Sequence, residues 1–65
     1  KAVRMAEQAV KLSPRNARAQ LTLGTIYQTM GRTAGAVRAY RTYLKLKPKG
    51  RFASDVRSIL KNLSP

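Results

Sequence analysis

The sequence repeats its own pattern at a fixed offset. Ala2-Val3-Arg4 returns as Ala36-Val37-Arg38, Lys11-Leu12 as Lys45-Leu46, and Pro14 as Pro48, each 34 residues further on. A fixed period of this size marks a stack of similar supersecondary units, in which neighbours bury each other's apolar faces. The stack is short, because 65 residues hold fewer than two periods. A chain of that length buries only about 60% of the surface its unfolded form exposes, so its own core leaves it marginal. It has no cysteine and hence no disulfide to help.

The local signals are helical throughout. In residues 1–12, Val3, Ala6 and Val10 recur at helical spacing among Ala and long straight side chains. Pro14 ends that helix by driving the residue before it out of the α region. Asn16 stands where an N-cap belongs, ahead of a second helix over Ala17–Met30 with Leu21, Leu23, Ile26, Tyr27 and Met30 as its larger apolar members. Gly31 is its expected left-handed terminator. Thr33 is the predicted N-cap of a third helix, Ala34–Leu46, whose buried side carries Ala36, Val37, Tyr40, Tyr43 and Leu44. After Pro48 and Gly50, the stripe Phe52, Val56, Ile59, Leu60 and Leu63 predicts a fourth helix, with Arg57, Ser58, Lys61 and Asn62 on its polar side. Helices joined by such short loops lie antiparallel to their neighbours. The expected fold class is all-α, about four helices in helix-turn-helix repeats, an α-solenoid fragment.

These residues also resemble a known family. Leu23-Gly24 with Tyr27, then Gly31, Ala36, Tyr40 and Pro48, reproduce the pattern of the tetratricopeptide repeat over Ala17–Gly50. Residues 1–16 match the second half of a preceding repeat, with Ala2, Ala9 and Pro14 in the corresponding places. Small residues at Gly24, Ala36, Ala2 and Ala9 are expected where helix axes cross closely, with Tyr27 and Tyr40 filling the layers between. Departures fall at Gln20, where the family often has a bulky aromatic, and at Tyr43, usually small. Residues 51–65 carry Arg57 and Lys61 in place of the pattern's leucine and aromatic, so they read as a C-terminal capping helix. The start at half a repeat and the abrupt end lead us to expect a piece of a longer protein. The face of the first helix bearing Val3, Ala6 and Val10 would then need an upstream helix or a second copy of the chain to cover it.

Catalysis finds little to work with. There is no His, no Cys, no Gly-rich phosphate loop, and only two acids, Glu7 and Asp55. The expectation is a non-catalytic chain without cofactor or metal. Glu7, one turn from Arg4 and Lys11, reads as a surface ion-pair partner. The resemblance implies a protein-interaction module, a scaffold or adaptor that holds a partner segment in the inner groove. On this chain that groove would show Arg18, Leu21, Thr25, Gln28 and Thr29. Members that clamp a C-terminal carboxylate would have Lys and Asn where Leu21 and Thr25 stand, so that subtype is disfavoured.

The charge points to a second surface. Fourteen Lys and Arg against two acids leave a net charge of +12, which attracts nucleic acid, anionic membrane or acidic protein segments. Arg38, Arg41 and Lys45 fall on one side of the third helix, and Lys1, Arg4 and Lys11 hold related places on the first. The repeat relation predicts that the two stripes lie side by side on the outer, convex face, with Lys47, Lys49 and Arg51 extending them into the loop. The partners expected are a protein or peptide, acidic by preference, or another copy of the chain. Nucleic acid or anionic membrane ranks behind them, since no nucleic-acid motif is present and the aromatics are committed to packing.

Overall fold

Helix formation follows the caps and breaks of the sequence closely. The computed structural model describes residues 2–63; Lys1, expected at the head of the basic stripe, Ser64, Pro65 and the side chain of Ala2 lie outside the described residues. Four helices follow in order: α1 (Ala2–Leu12), α2 (Ala17–Thr29), α3 (Thr33–Leu46) and α4 (Ala53–Leu63). There is no strand among the described residues. Among the described residues, no helix is long and apolar enough to cross a membrane.

Asn16 caps α2 as expected. Its backbone is extended, and its Oδ1 accepts from Ala19 N–H at 3.1 Å, satisfying a donor that the helix start leaves free. Gly31 ends the helix with φ at 78°, a left-handed conformation that costs glycine nothing. Around it, Gly31 N–H donates to the Gln28 carbonyl at 3.1 Å and Arg32 N–H to the Tyr27 carbonyl at 2.8 Å. These two bonds are the Schellman pair, which satisfies the last carbonyls of the helix.

That tight closure shifts the next start. The Arg32 carbonyl accepts from Ala36 N–H at 3.0 Å, so Arg32, without a side-chain cap, is the N-cap of α3 and Thr33 is already inside it. The expectation of Thr33 as cap is therefore corrected.

The contacts of α3 with α2 run in opposite chain directions. Gly35 lies against the ring of Tyr27, Tyr40 against Gly24, and Tyr43 shares a buried cluster with Ala17. The hydrogen bonds that tie α2 to α1 and its following loop do the same, with Tyr27 donating to Glu7 and Gln20 to the Pro14 carbonyl. Each helix packs on its sequence neighbours, α1 on α2, α2 on α3 and α3 on α4. This is the antiparallel, nearest-neighbour stacking that the period demands.

Two apolar clusters hold the stack. One joins Ala17, Ala36, Tyr40, Tyr43 and Val56, with Leu21, Leu44, Ile59, Leu60 and Leu63 packed against it. The other joins Ala6, Leu23 and Ala39, one residue from each of α1, α2 and α3, with Val3, Val10 and Ile26 around it. Alanine at both outer positions lets α1 and α3 approach α2 closely.

Four expectations change here. Val3, Ala6 and Val10 are not an unpartnered face: Ala6 is buried against α2, and Val3 and Val10 pack partly against the same cluster. The exposed apolar side of α1 is instead Met5, Ala9 and Leu12, with Met5 75% and Leu12 77% exposed. Ala9, being exposed, is not the close-approach position; Ala6 is. Met30, outside α2 and exposed, adds nothing to the core. Phe52 precedes α4 and is 43% exposed, so the buried stripe of that helix begins at Ala53. The α3–α4 loop turns too sharply for Phe52 to join it, because the Tyr43 hydroxyl accepts from Phe52 N–H at 3.2 Å and pins the backbone instead.

Candidate functional site

The residues expected in the inner groove lie along one side of α2. Arg18, Thr25, Gln28 and Thr29 are exposed, while Leu21 is partly buried against the core. Thr25 and Thr29 donate their hydroxyls to the carbonyls of Leu21 and Thr25, at 3.1 and 3.0 Å. Their donors are thus committed to the helix, as is common for mid-helix threonine.

Tyr40 organises the far part of this face. Its ring crosses over Gly24, and its hydroxyl emerges on the groove side. There it donates to Gln28 Oε1 at 2.8 Å and lies 3.3 Å from Thr25 Oγ1. Thr25 and Gln28 are thereby fixed from below by a side chain whose own exposure is 1%. Thr29 has no such tie.

At the near end, Arg18 and Leu21 open into a cleft of about 420 Å³ shared with Tyr43, Lys47, Arg51 and Phe52. The guanidinium of Arg51 sits 5.7 Å from the centre of the Phe52 ring, a cation–π distance. Read along the sequence, the groove carries one charge. In three dimensions the α3–α4 loop adds Lys47 and Arg51 beside Arg18, around an apolar floor. The signal available in the sequence was the short loop between Pro48 and Ala53, which has to fold back over the start of α2.

The basic stripe is only partly assembled. Arg38, Arg41 and Lys45 are exposed and line one shallow depression on the outer side of α3. Arg4 and Lys11 are exposed on α1. The two helices do not pack against each other, however, and a groove of about 660 Å³ floored by α2 runs along α3 beside that depression, sharing Arg38 with it and with Val10 as the α1 residue in its lining. The stripes are therefore set apart rather than joined. Gly35, packed against the Tyr27 ring, and the buried Ala39 form part of the groove's α3 wall.

Glu7 is not the ion-pair partner expected of it. Its carboxylate accepts a hydrogen bond from the hydroxyl of Tyr27, across the α1–α2 contact. That bond, with burial and the charge of Glu7, pushes the Tyr27 hydroxyl above the ordinary tyrosine range, against a smaller lowering by Arg32. A raised pKa means the folded state holds the proton more tightly than the unfolded one. The stabilisation is complete below the ordinary tyrosine value and is lost as pH rises through the raised one. Glu7→Gln keeps an acceptor but removes the charge, so Tyr27 should ionise at lower pH than in the parent chain. Tyrosinate absorbance against pH, with Tyr27→Phe to assign the signal, measures this; identical titrations of parent and Glu7→Gln would contradict it.

Gln20 is the residue that sequence reasoning passed over as a departure. It is 7% exposed, and its Nε2 donates to the Pro14 carbonyl at 3.1 Å, tying the α1–α2 loop to α2. A bulky aromatic there would fill the same space without satisfying that carbonyl.

Comparison with protein-family models finds a match, described as tetratricopeptide repeat, over residues 1–63. The match runs beyond Gly50, where the residue-by-residue pattern stops, into α4. Comparison with curated proteins and with solved structures gave no match.

Proposed function

Because the chain belongs to the tetratricopeptide-repeat family, whose repeats generally mediate protein–protein interaction, we propose that it holds a segment of a partner protein along the inner side of α2. The observation that carries this reading is the continuity of that side with the cleft at its near end. Thr25 and Gln28, fixed by Tyr40, offer polar contacts. Leu21 and Phe52 offer apolar area, and Arg18, Lys47 and Arg51 surround it with positive charge. A segment with a bulky apolar side chain flanked by carboxylates complements that surface. The family is typically a non-catalytic scaffold, and the role proposed here is of that kind. On this reading α4 serves as a terminal cap, its buried Ala53 and Val56 turned inward and Arg57, Ser58, Lys61 and Asn62 exposed.

The test uses a partner captured on the immobilised chain and then titrated in purified form. Arg51→Glu should weaken its binding about tenfold, since truncating or reversing an interfacial charge costs on that order. Gln28→Ala should weaken it less, and Arg41→Glu, on the outer side of α3, should leave it nearly unchanged. Equal affinity for Arg51→Glu and the parent chain would refute the inner-face assignment.

A further inference from the structure

The groove of about 660 Å³ between α1 and α3 lies on a different side of α2 from the surface just described. Its floor residues Gln20, Leu23 and Tyr27 are roughly half a turn away from Arg18, Leu21 and Thr25 on a helix of about 3.6 residues per turn. Apart from Gln20, whose amide is tied to the Pro14 carbonyl, the floor is apolar: Leu23 and Ala39 are buried, and Val10 and the Tyr27 ring are partly exposed. The rim is positive. Arg38 stands on the α3 wall, and Arg32 closes one end with its guanidinium 6.0 Å from the centre of the Tyr27 ring.

The sequence has only two acids, and Asp55 is in the first turn of α4. Glu7 is the other; it accepts from the Tyr27 hydroxyl and keeps its charge, but it is not among the lining residues. Two arginines, Arg32 and Arg38, line the groove and no carboxylate does, so its rim is positive on balance.

We propose that this groove is a second docking site, which binds an acidic segment of a partner protein that sets small aliphatic side chains on the Leu23–Tyr27–Ala39 floor and carboxylates against Arg32 and Arg38. Charge complementarity selects the occupant. A second copy of a chain with net charge +12 would be repelled. A nucleic-acid backbone would match the rim but would leave the apolar floor covered by phosphate and sugar. A peptide alternating acidic and aliphatic residues satisfies both, because successive side chains of an extended segment point to opposite sides.

The experiment uses the 65-residue chain labelled with nitrogen-15 and a short peptide of alternating Glu and Leu as probe. A Gln–Leu peptide and an oligothymidylate serve as comparisons. The expected amide shifts cluster at Val10, Leu23, Gly35 and Thr42. Arg38→Glu should weaken the Glu–Leu peptide about tenfold, and Arg41→Glu, an equal charge change on the same helix outside the groove, should change affinity less than about twofold. The Gln–Leu peptide should bind more weakly than the Glu–Leu one.

Equal losses for Arg38→Glu and Arg41→Glu would overturn the proposal in favour of diffuse attraction. Tighter binding of the oligothymidylate than of the peptide would overturn it in favour of nucleic acid. Shifts confined to Leu21, Gln28 and Phe52 would overturn it while leaving the inner-face reading standing.

Discussion

Tyr40→Ala should leave the chain largely unfolded at room temperature. Tyr40 is 1% exposed, and it and Val56 are the largest side chains that are fully buried. Its ring fills the layer between α2 and α3 and joins the cluster that also recruits α4. Removing a buried aromatic ring costs about 3–5 kcal/mol, through lost burial and the cavity left behind. A domain of this length has a total stability of only about 3–10 kcal/mol, at the usual 0.05–0.15 kcal/mol per residue. Loss of this one ring thus consumes most of the margin. Urea unfolding followed by circular dichroism measures it. Tyr40→Phe separates the two parts of the side chain: it keeps the ring and gives up the bond to Gln28, at about 1 kcal/mol. A Tyr40→Ala chain whose stability stays within about 1 kcal/mol of the parent would show that the α2–α3 contact does not rest on this residue.

Gly24→Leu should be nearly as damaging, from the opposite side of the same contact. A Cβ at position 24 would lie 2.7 Å from Cε1 and 2.8 Å from Cδ1 of Tyr40. Those are atoms of a rigid, fully buried ring, so they cannot move aside as the end of a flexible side chain does. Either α3 shifts outward or Tyr40 leaves its rotamer. Overpacking of this kind costs typically about 1–3 kcal/mol, and a leucine, which adds three more carbons beyond the Cβ that already clashes, belongs at the upper end, about 3 kcal/mol.

Glycine inside a helix gives away up to about 1 kcal/mol of propensity relative to alanine, so a surface glycine at this point would make the substitution stabilising. The sign of the measured change therefore reports the contact directly. The combination Gly24→Leu with Tyr40→Ala should be less damaging than the two single losses added together, since each relieves the other. Simple additivity of the two would show that they do not meet.

Most of the helical framework was legible in the residues. Asn16, Gly31 and Pro14 act locally, through a side-chain acceptor, a permitted positive φ and a steric block, and none of these depends on what lies across the molecule. The close approach at Gly24 was legible too, because a glycine in a helix carries a cost that only packing offsets. Thr33 and Phe52 show where local reading fails. Each was assigned to an element by type and spacing; Thr33 was displaced by the Schellman closure at Gly31, which leaves Arg32 as the cap, and Phe52 by the bond from its N–H to the Tyr43 hydroxyl. Glu7 failed for a related reason. Its neighbours on the helix are Arg4 and Lys11, but an exposed ion pair between flexible side chains is worth little, and the Tyr27 hydroxyl brought up by α2 is a better-placed partner.

The candidate surfaces follow the same division. Which residues of α2 share a side is a matter of helical period, so Arg18, Leu21, Thr25 and Gln28 could be grouped from their numbers alone. That Lys47, Arg51 and Phe52 stand beside the first two depends on how a loop folds back, which no period encodes. By itself the 34-residue repeat determined the fold class, the order of packing and the matching positions of Arg4 with Arg38 and Lys11 with Lys45. Only the tertiary structure decided whether those matching positions touch. They do not, because α1 and α3 each pack on α2 and not on each other, and a groove runs between them. A repeat relates residues by symmetry of sequence, whereas the distance between related helices is set by the side chains that separate them.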